Sequence, residues 1–196
     1  AVESQPVADW QDRVLAEKDP VAAINGAIAL ARHGDKALRG PLLAMLGGID
    51  WEALSEKRRV DLVRAYSLVF IRMGRPDDKT RTETIARLDP FLPGVSPELN
   101  AELLQLLVYL QAPNAAAKGI DLLKRAPSQE GQMAYATSLR HLKAGWTRPL
   151  REDFFKWFTL AAGYKGGASF GLFVENMKKD ALANLPEQEK KALKSI

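Results

Sequence analysis

The chain has 196 residues and a mass of 21.6 kDa, with 46% hydrophobic and 27% charged residues. These values exclude an intrinsically disordered protein and allow a continuous hydrophobic core. The absence of cysteine excludes disulfide bonds, cysteine nucleophiles, cysteine-ligated zinc and thioether-attached haem. No apolar run reaches the ~20 residues of a membrane-spanning helix, and residues 1–4 lack the basic start of a signal peptide.

The net charge of +4 is unevenly distributed along the chain. Residues 1–139 hold 17 Lys and Arg against 18 Asp and Glu, whereas residues 140–196 hold 11 against 6. The basic character therefore belongs to the last third. A patch of this size attracts an acidic partner but is too weak to indicate nucleic-acid binding by itself.

Helix start and stop signals recur along the whole chain. The first predicted helix covers residues 7–18, and Asp19 followed by Pro20 is a cap with proline at the first helical position. Asp35 is expected to cap a further helix that Pro41 kinks. Further start signals lie at Ser55, Asp77 or Asp78, Ser96, Asn114, Ser128, Thr147, Ser169 and Pro186.

These start and stop signals predict an all-α fold with very short connections. Short connections make neighbouring helices antiparallel. Pairing the helices gives units whose starts are spaced by roughly 31–42 residues, a period typical of helical solenoids. We therefore predict a single domain over residues 1–196, a HEAT-like α-solenoid of about ten antiparallel-paired helices. The predicted units begin near Pro20, Ser55, Pro97, Ser128 and Ser169.

The glycine-rich loop at residues 163–168 precedes a predicted helix, so its N–H groups and Lys165 are one candidate anion site. A phosphate-binding P-loop places its lysine after the glycines and follows a strand, and neither condition holds here. We favour a flexible corner in which Gly163 ends one helix and Ser169 caps the next.

The two histidines and the adjacent acids give no catalytic or metal motif. His33 and His141 lack a second histidine or a glutamate at metal-binding spacing. The pairs Glu152-Asp153 and Asp77-Asp78 are assigned to first helical turns, where negative charge offsets the helix dipole. We predict no catalytic, cofactor-binding or metal-binding residue and no cofactor.

Tryptophans and basic residues supply the one candidate interaction surface. Trp157 lies on an apolar helical face and is expected in the core. Trp146 precedes a helix cap, where packing between helices is favoured over recognition. The candidate surface consists of Arg140, Lys143, Trp146, Arg148, Arg151 and Lys165.

Several short sequence segments of the chain resemble those of a known protein family. The chain is similar to the HEAT-repeat region of large exported bacterial proteins that join a sugar-dehydrogenase-like β-propeller to a C-terminal c-type cytochrome domain. The segments that carry this resemblance are ALARHGD at residues 29–35, RMGRPD at 72–77, LDP at 88–90, LLQLLVYLQAP at 103–113, LKAGWT at 142–147 and AAGYKGGASF at 161–170.

The resemblance implies a position within a larger protein. The propeller is expected to hold a quinone-type cofactor and the cytochrome domain a haem, and the chain itself has no Cys-x-x-Cys-His. The implied role is a non-catalytic spacer excised from a multidomain protein, outside the cytoplasm. Its implied partners are the propeller and cytochrome domains.

Two other functions stay open on the sequence. Some HEAT-like proteins grip DNA with a basic concave face, which the basic last third permits, although nucleic acid is the less favoured partner. An enzyme with a site assembled from distant residues is the third hypothesis.

Overall fold

The computed structural model describes residues 5–193, the side chains of residues 191 and 192 excepted. Residues 5–193 form eleven α-helices and no strand, which confirms the all-α prediction. The prediction about residues 1–4 lies outside the described residues. The helices are α1 (Gln11–Leu15), α2 (Pro20–His33), α3 (Arg39–Gly47), α4 (Glu56–Met73), α5 (Asp78–Leu88), α6 (Pro97–Tyr109), α7 (Ala115–Arg125), α8 (Gln129–Leu139), α9 (Arg148–Ala161), α10 (Phe170–Ala183) and α11 (Glu187–Leu193).

Five of the predicted helix caps form as expected. Each cap side chain accepts a hydrogen bond from the backbone N–H three residues later, which satisfies a donor that the helix leaves unpaired. The caps are Asp19 for α2, Asp77 for α5, Ser96 for α6, Ser128 for α8 and Thr147 for α9.

Two predictions in the first third are wrong in detail. Residues 7–18 do not form one helix, because Trp10 leaves the helical region at φ −134° between the 3₁₀ turn Val7–Asp9 and α1. Asp35 caps the 3₁₀ turn Lys36–Leu38 rather than α3. Pro41 is therefore the third residue of α3, in a first turn where its missing N–H breaks no bond.

Two further local predictions are also wrong. Ser169 precedes α10 but its side chain makes no cap hydrogen bond. Glu152 and Asp153 lie beyond the first turn of α9, which contains no acid. They instead form ion pairs with Arg148, at 2.9 Å, and Lys124, at 2.6 Å.

The chain divides into two compact units, Ala1–Thr84 and Ile85–Ile196. In the first unit, α2 packs against α1, α3 and α4, and α3 also packs against α1 and α4. Helix α4 is the longest of these because its apolar positions recur at helical spacing without an internal breaker. The fully buried side chains of this unit include Ala27, Leu30, Leu42, Leu46, Leu62, Val63 and Val69.

In the second unit, α6 packs against α7 and α8, and α7 packs against α8 and α9. Helix α10 packs against both α8 and α9. Each of the helices α6 to α9 thus contacts its successor or the helix after that, or both. The buried side chains between these helices include Leu103, Leu104, Leu107, Leu123, Leu139 and Phe155. The expected burial of Trp157 is confirmed, since it is 6% exposed.

Candidate interaction groove

An open groove of about 520 Å³ lies between α6 and α8 in the second unit. Its volume falls in the range of peptide and small-ligand sites. Four lining residues belong to α6 and four to α8 and the residues directly after it. They are Ala101, Gln105, Val108 and Tyr109, and Ala134, Thr137, Ser138 and His141.

The helical periodicity explains why these residues share a surface. Positions 101, 105, 108 and 109 recur at spacings of three or four residues along α6, and positions 134, 137, 138 and 141 do so along α8. The leucines of α6 occupy the other side and are buried. The small side chains of Ala101, Ala134 and Ser138 leave the space between the two helices open.

The groove is electrically neutral apart from one end. Gln105, Thr137 and Ser138 are polar and uncharged, and the other lining residues except His141 are apolar or phenolic. The Ser138 hydroxyl donates to the Ala134 carbonyl of the same helix at 3.4 Å. Thr137 Oγ1 contacts the sulfur of Met177 at 3.3 Å.

Gln111 fixes the end of the groove that contains His141. Its carboxamide donates to the His141 carbonyl at 3.1 Å and accepts from the backbone N–H of Lys143 at 2.8 Å. Gln111 adopts a left-handed backbone with φ 56°, which directs its side chain away from the helical path of α6. The segment after α8 is thereby tied to the end of α6.

The surroundings of His141 favour its neutral form. Its Nε2 accepts a hydrogen bond from Nε of Arg140 at 3.0 Å, so the ring proton of neutral His141 belongs on Nδ1. Burial lowers the pKa of His141, and the positive charge of Arg140 lowers this pKa further, while Asp180 acts in the opposite direction. With His141 neutral, the groove lining carries no formal charge.

Arg140 is itself largely covered. Its side chain is 19% exposed, and its NH1 atom lies 3.5 Å from a carboxylate oxygen of Asp180. The guanidinium carbon stands 5.8 Å from the centre of the Phe173 ring, a cation–π distance. Asn184, which directly follows α10, donates to the Arg140 carbonyl at 2.8 Å, so α10 and its C-cap hold Arg140 through both backbone and side chain.

Three of the six predicted surface residues lie together around a small pocket, where Arg151 is buried and Arg140 and Trp146 are partly buried. Arg140, Trp146 and Arg151 line a cavity of about 10 Å³, the size of one water molecule. Arg151 is 8% exposed and pairs with Glu189 at 2.5 Å. Trp146 stacks on Phe154 at 5.5 Å between ring centres and donates from Nε1 to the Leu142 carbonyl. The expected packing role fits this position.

The other three predicted residues are exposed. Arg148 is 79% exposed in its side chain and pairs with Glu152 of the same helix. Lys143 and Lys165 lie outside the helices. The backbone of Lys165 is held by Gln129, which donates to its carbonyl at 2.8 Å and accepts from its N–H at 3.2 Å.

Sequence reasoning missed Gln105 and the groove around it. The sequence did contain a signal, in the composition of two helix faces. The face of α6 opposite its leucines carries Ala101 and Gln105, and the exposed face of α8 carries Ala134 and Ser138. Charged residues are usual at such solvent-facing positions. Small uncharged residues on two helices become informative only once those helices are known to be neighbours.

Within residues 5–193, no group of three or more His, Cys, Asp and Glu side chains is arranged to bind a metal ion. In the same range, no helix combines the length and hydropathy that crossing a membrane requires. No known protein family, curated protein or solved structure matches the chain.

Proposed function

We propose that this chain is a non-catalytic scaffold that binds a partner protein through the groove between α6 and α8. The observation that carries the proposal is the groove itself, which is open and is lined by small side chains and by the exposed carboxamide of Gln105. Interface cores are depleted of charged residues, and the residues that line this groove include no Asp, Glu, Lys or Arg.

We further propose that the helices are arranged as a HEAT-like solenoid. The support is the packing order within each unit, where α2 contacts α4 as well as α3, and α6 contacts α8 as well as α7. Contacts to the next helix and to the one after it are what two stacked layers of antiparallel helices produce. Such an array offers an extended surface because each repeat touches only its neighbours.

The proposed setting is a larger exported protein of the dehydrogenase and cytochrome type. Its support is the similarity of the six sequence segments to the HEAT-repeat region of such proteins. In that setting the chain is a spacer outside the cytoplasm, and its partners are the neighbouring propeller and cytochrome domains, in the same chain or an associated one.

Nucleic-acid binding by the basic last third has less support. Arg140 pairs with Asp180, Arg148 with Glu152, and Arg151 with Glu189. An arginine that is already paired releases little counterion on meeting a phosphate, so it contributes little to binding.

The experiment is a binding measurement between the 196-residue chain and separately produced propeller and cytochrome domains encoded by the same reading frame. Ala134→Arg places a long charged side chain in the groove and should abolish binding. Ala183→Arg is the matched control, because Ala183 is also an exposed helical alanine but lies on α10 outside the groove lining. Failure of both domains to bind, or equal binding by both variants, would remove the proposal.

Fluorescence anisotropy with a labelled DNA duplex over a salt series tests the alternative. Tight binding at low salt with a steep salt dependence would favour nucleic acid over protein.

A further inference from the structure

A buried donor without a protein acceptor lies beside the small cavity in the second unit. Arg151 is 8% exposed and lines this cavity, whose volume is about 10 Å³. The NH1 atom of its guanidinium pairs with Glu189. Its Nε is buried and has no hydrogen-bond partner among the described residues. A buried N–H group without an acceptor is costly, so we expect a group within the cavity to accept from it.

Asn184 brings an acceptor to the same cavity. Its Nδ2 donates to the carbonyls of Arg140 and Asp180, and these two bonds fix which end of the carboxamide carries the oxygen. Among residues 5–193, no donor bonds to its Oδ1. The residues that line the cavity therefore include one unpaired donor, on α9, and one unpaired acceptor, directly after α10.

The size and charge of the cavity restrict what it can hold. Two arginines line it, but Arg140 already pairs with Asp180 and Arg151 with Glu189. An anion would add a negative charge that neither arginine is free to offset, in a place largely removed from solvent. A volume of about 10 Å³ admits one molecule of the size of water. The occupant must therefore be small, neutral and able both to accept and to donate.

We propose that this cavity is a binding site for a single water molecule, which accepts a hydrogen bond from Nε of Arg151 and donates one to Oδ1 of Asn184. Two polar partners are enough to hold a buried water. The water joins α9 to the C-cap of α10, so it contributes to the packing of these two helices. This site is independent of the proposed scaffold function, because neither residue lines the groove between α6 and α8.

The first test is NMR spectroscopy of the isotope-labelled 196-residue chain. The Nε–H proton of Arg151 should give a cross-peak to the water resonance that has the sign of the diagonal in NOESY and the opposite sign in ROESY. That pair of signs identifies a held water molecule, whereas proton exchange gives the sign of the diagonal in both spectra. Arg151→Lys assigns the Nε–H signal by removing it. Absence of the cross-peak, or an exchange peak alone, would overturn the proposal.

The second test counts the long-lived water molecules of the chain by oxygen-17 magnetic relaxation dispersion. Arg151→Met removes the donor and leaves an apolar cavity, which stays dry, so the count should fall by one. Arg148→Met is the matched control, because Arg148 belongs to the same helix and its side chain is 79% exposed. An unchanged count in Arg151→Met, or the same fall in both variants, would contradict the proposal. If Arg151→Met does not fold, the cross-peak of the unsubstituted chain decides.

Discussion

Nε of Arg140 donates a hydrogen bond to Nε2 of His141 across 3.0 Å, although the two residues are adjacent in sequence. The bond requires a neutral imidazole, because a protonated Nε2 has no lone pair to accept. A positive imidazolium would also face the positive guanidinium. The pair therefore couples the end of the groove to pH.

We expect the stability of the chain to fall as the pH drops below the ordinary histidine range. The pKa of folded His141 is lowered by burial and by Arg140, so the unfolded chain binds more protons between that pKa and about 6.5. The stabilisation is complete above about pH 6.5 and is lost as the pH falls through the folded pKa. Urea unfolding between pH 5.5 and 7.5 measures it, and His141→Gln should flatten the profile.

A second measurement tests whether Arg140 contributes to the lowered pKa of His141. Arg140→Gln removes the neighbouring positive charge, so the pKa of His141, followed by NMR, should rise relative to the unsubstituted chain. An unchanged pKa would show that Arg140 does not contribute to the shift.

Gly145 should be irreplaceable. A Cβ atom there would stand 1.8 Å from the Pro113 carbonyl oxygen, and the residue has φ +74°. Gly145→Ala therefore combines a clash with the main chain and an unfavourable backbone conformation, and we expect a loss of about 3 kcal/mol or more. Chemical denaturation gives the value. Gly167→Ala is the control, with nothing within 4 Å of its Cβ, and a change beyond about 0.5 kcal/mol there would contradict the reasoning.

Gln111 should stabilise the end of the groove through its side chain despite its left-handed backbone. Gln111→Ala removes the bonds to His141 and Lys143 and should cost about 1–3 kcal/mol. Gln111→Gly loses the same bonds but tolerates φ 56°, so it should be about 1 kcal/mol more stable than the alanine variant. The opposite order in equilibrium unfolding would rule out backbone strain at this position.

The ion pair between Arg151 and Glu189 should matter more than the one between Arg148 and Glu152. Glu189→Gln leaves the nearly buried Arg151 without its counterion, and we expect a loss of about 1–2 kcal/mol, since Glu189 is partly exposed. Glu152→Gln breaks a pair whose arginine is largely in solvent and should cost about 0.5 kcal/mol or less. Thermal unfolding of the two variants compares them directly, and equal losses would contradict the difference in burial.

The local features of the fold followed closely from the sequence. Caps such as Ser96 and Thr147 act on an N–H three residues away, so the information lies within one helical turn. Two predictions were wrong because of the local backbone conformation. The side chain of Ser169 makes no cap hydrogen bond in the loop before α10. The backbone at Trp10 leaves the helical region, which interrupts the helix predicted over residues 7–18.

The candidate surface was harder to predict, because charge and aromatic content do not show where a side chain packs. Arg140 and Arg151 looked like exposed cations, but Asp180 and Glu189 pair with them from residues about 40 positions later. Gln105 carried no signal of its own, because its place in a groove depends on which helix packs beside α6.

The sequence alone determined that the chain is helical, where most helices begin, and which faces are apolar, because helical periodicity and capping are short-range properties of the chain. Only the tertiary structure decided that α6 and α8 lie side by side, that Arg151 is enclosed, and that the carboxamide of Gln105 faces an open groove. Those facts depend on contacts between residues far apart in the chain, which side-chain spacing within one helix does not specify.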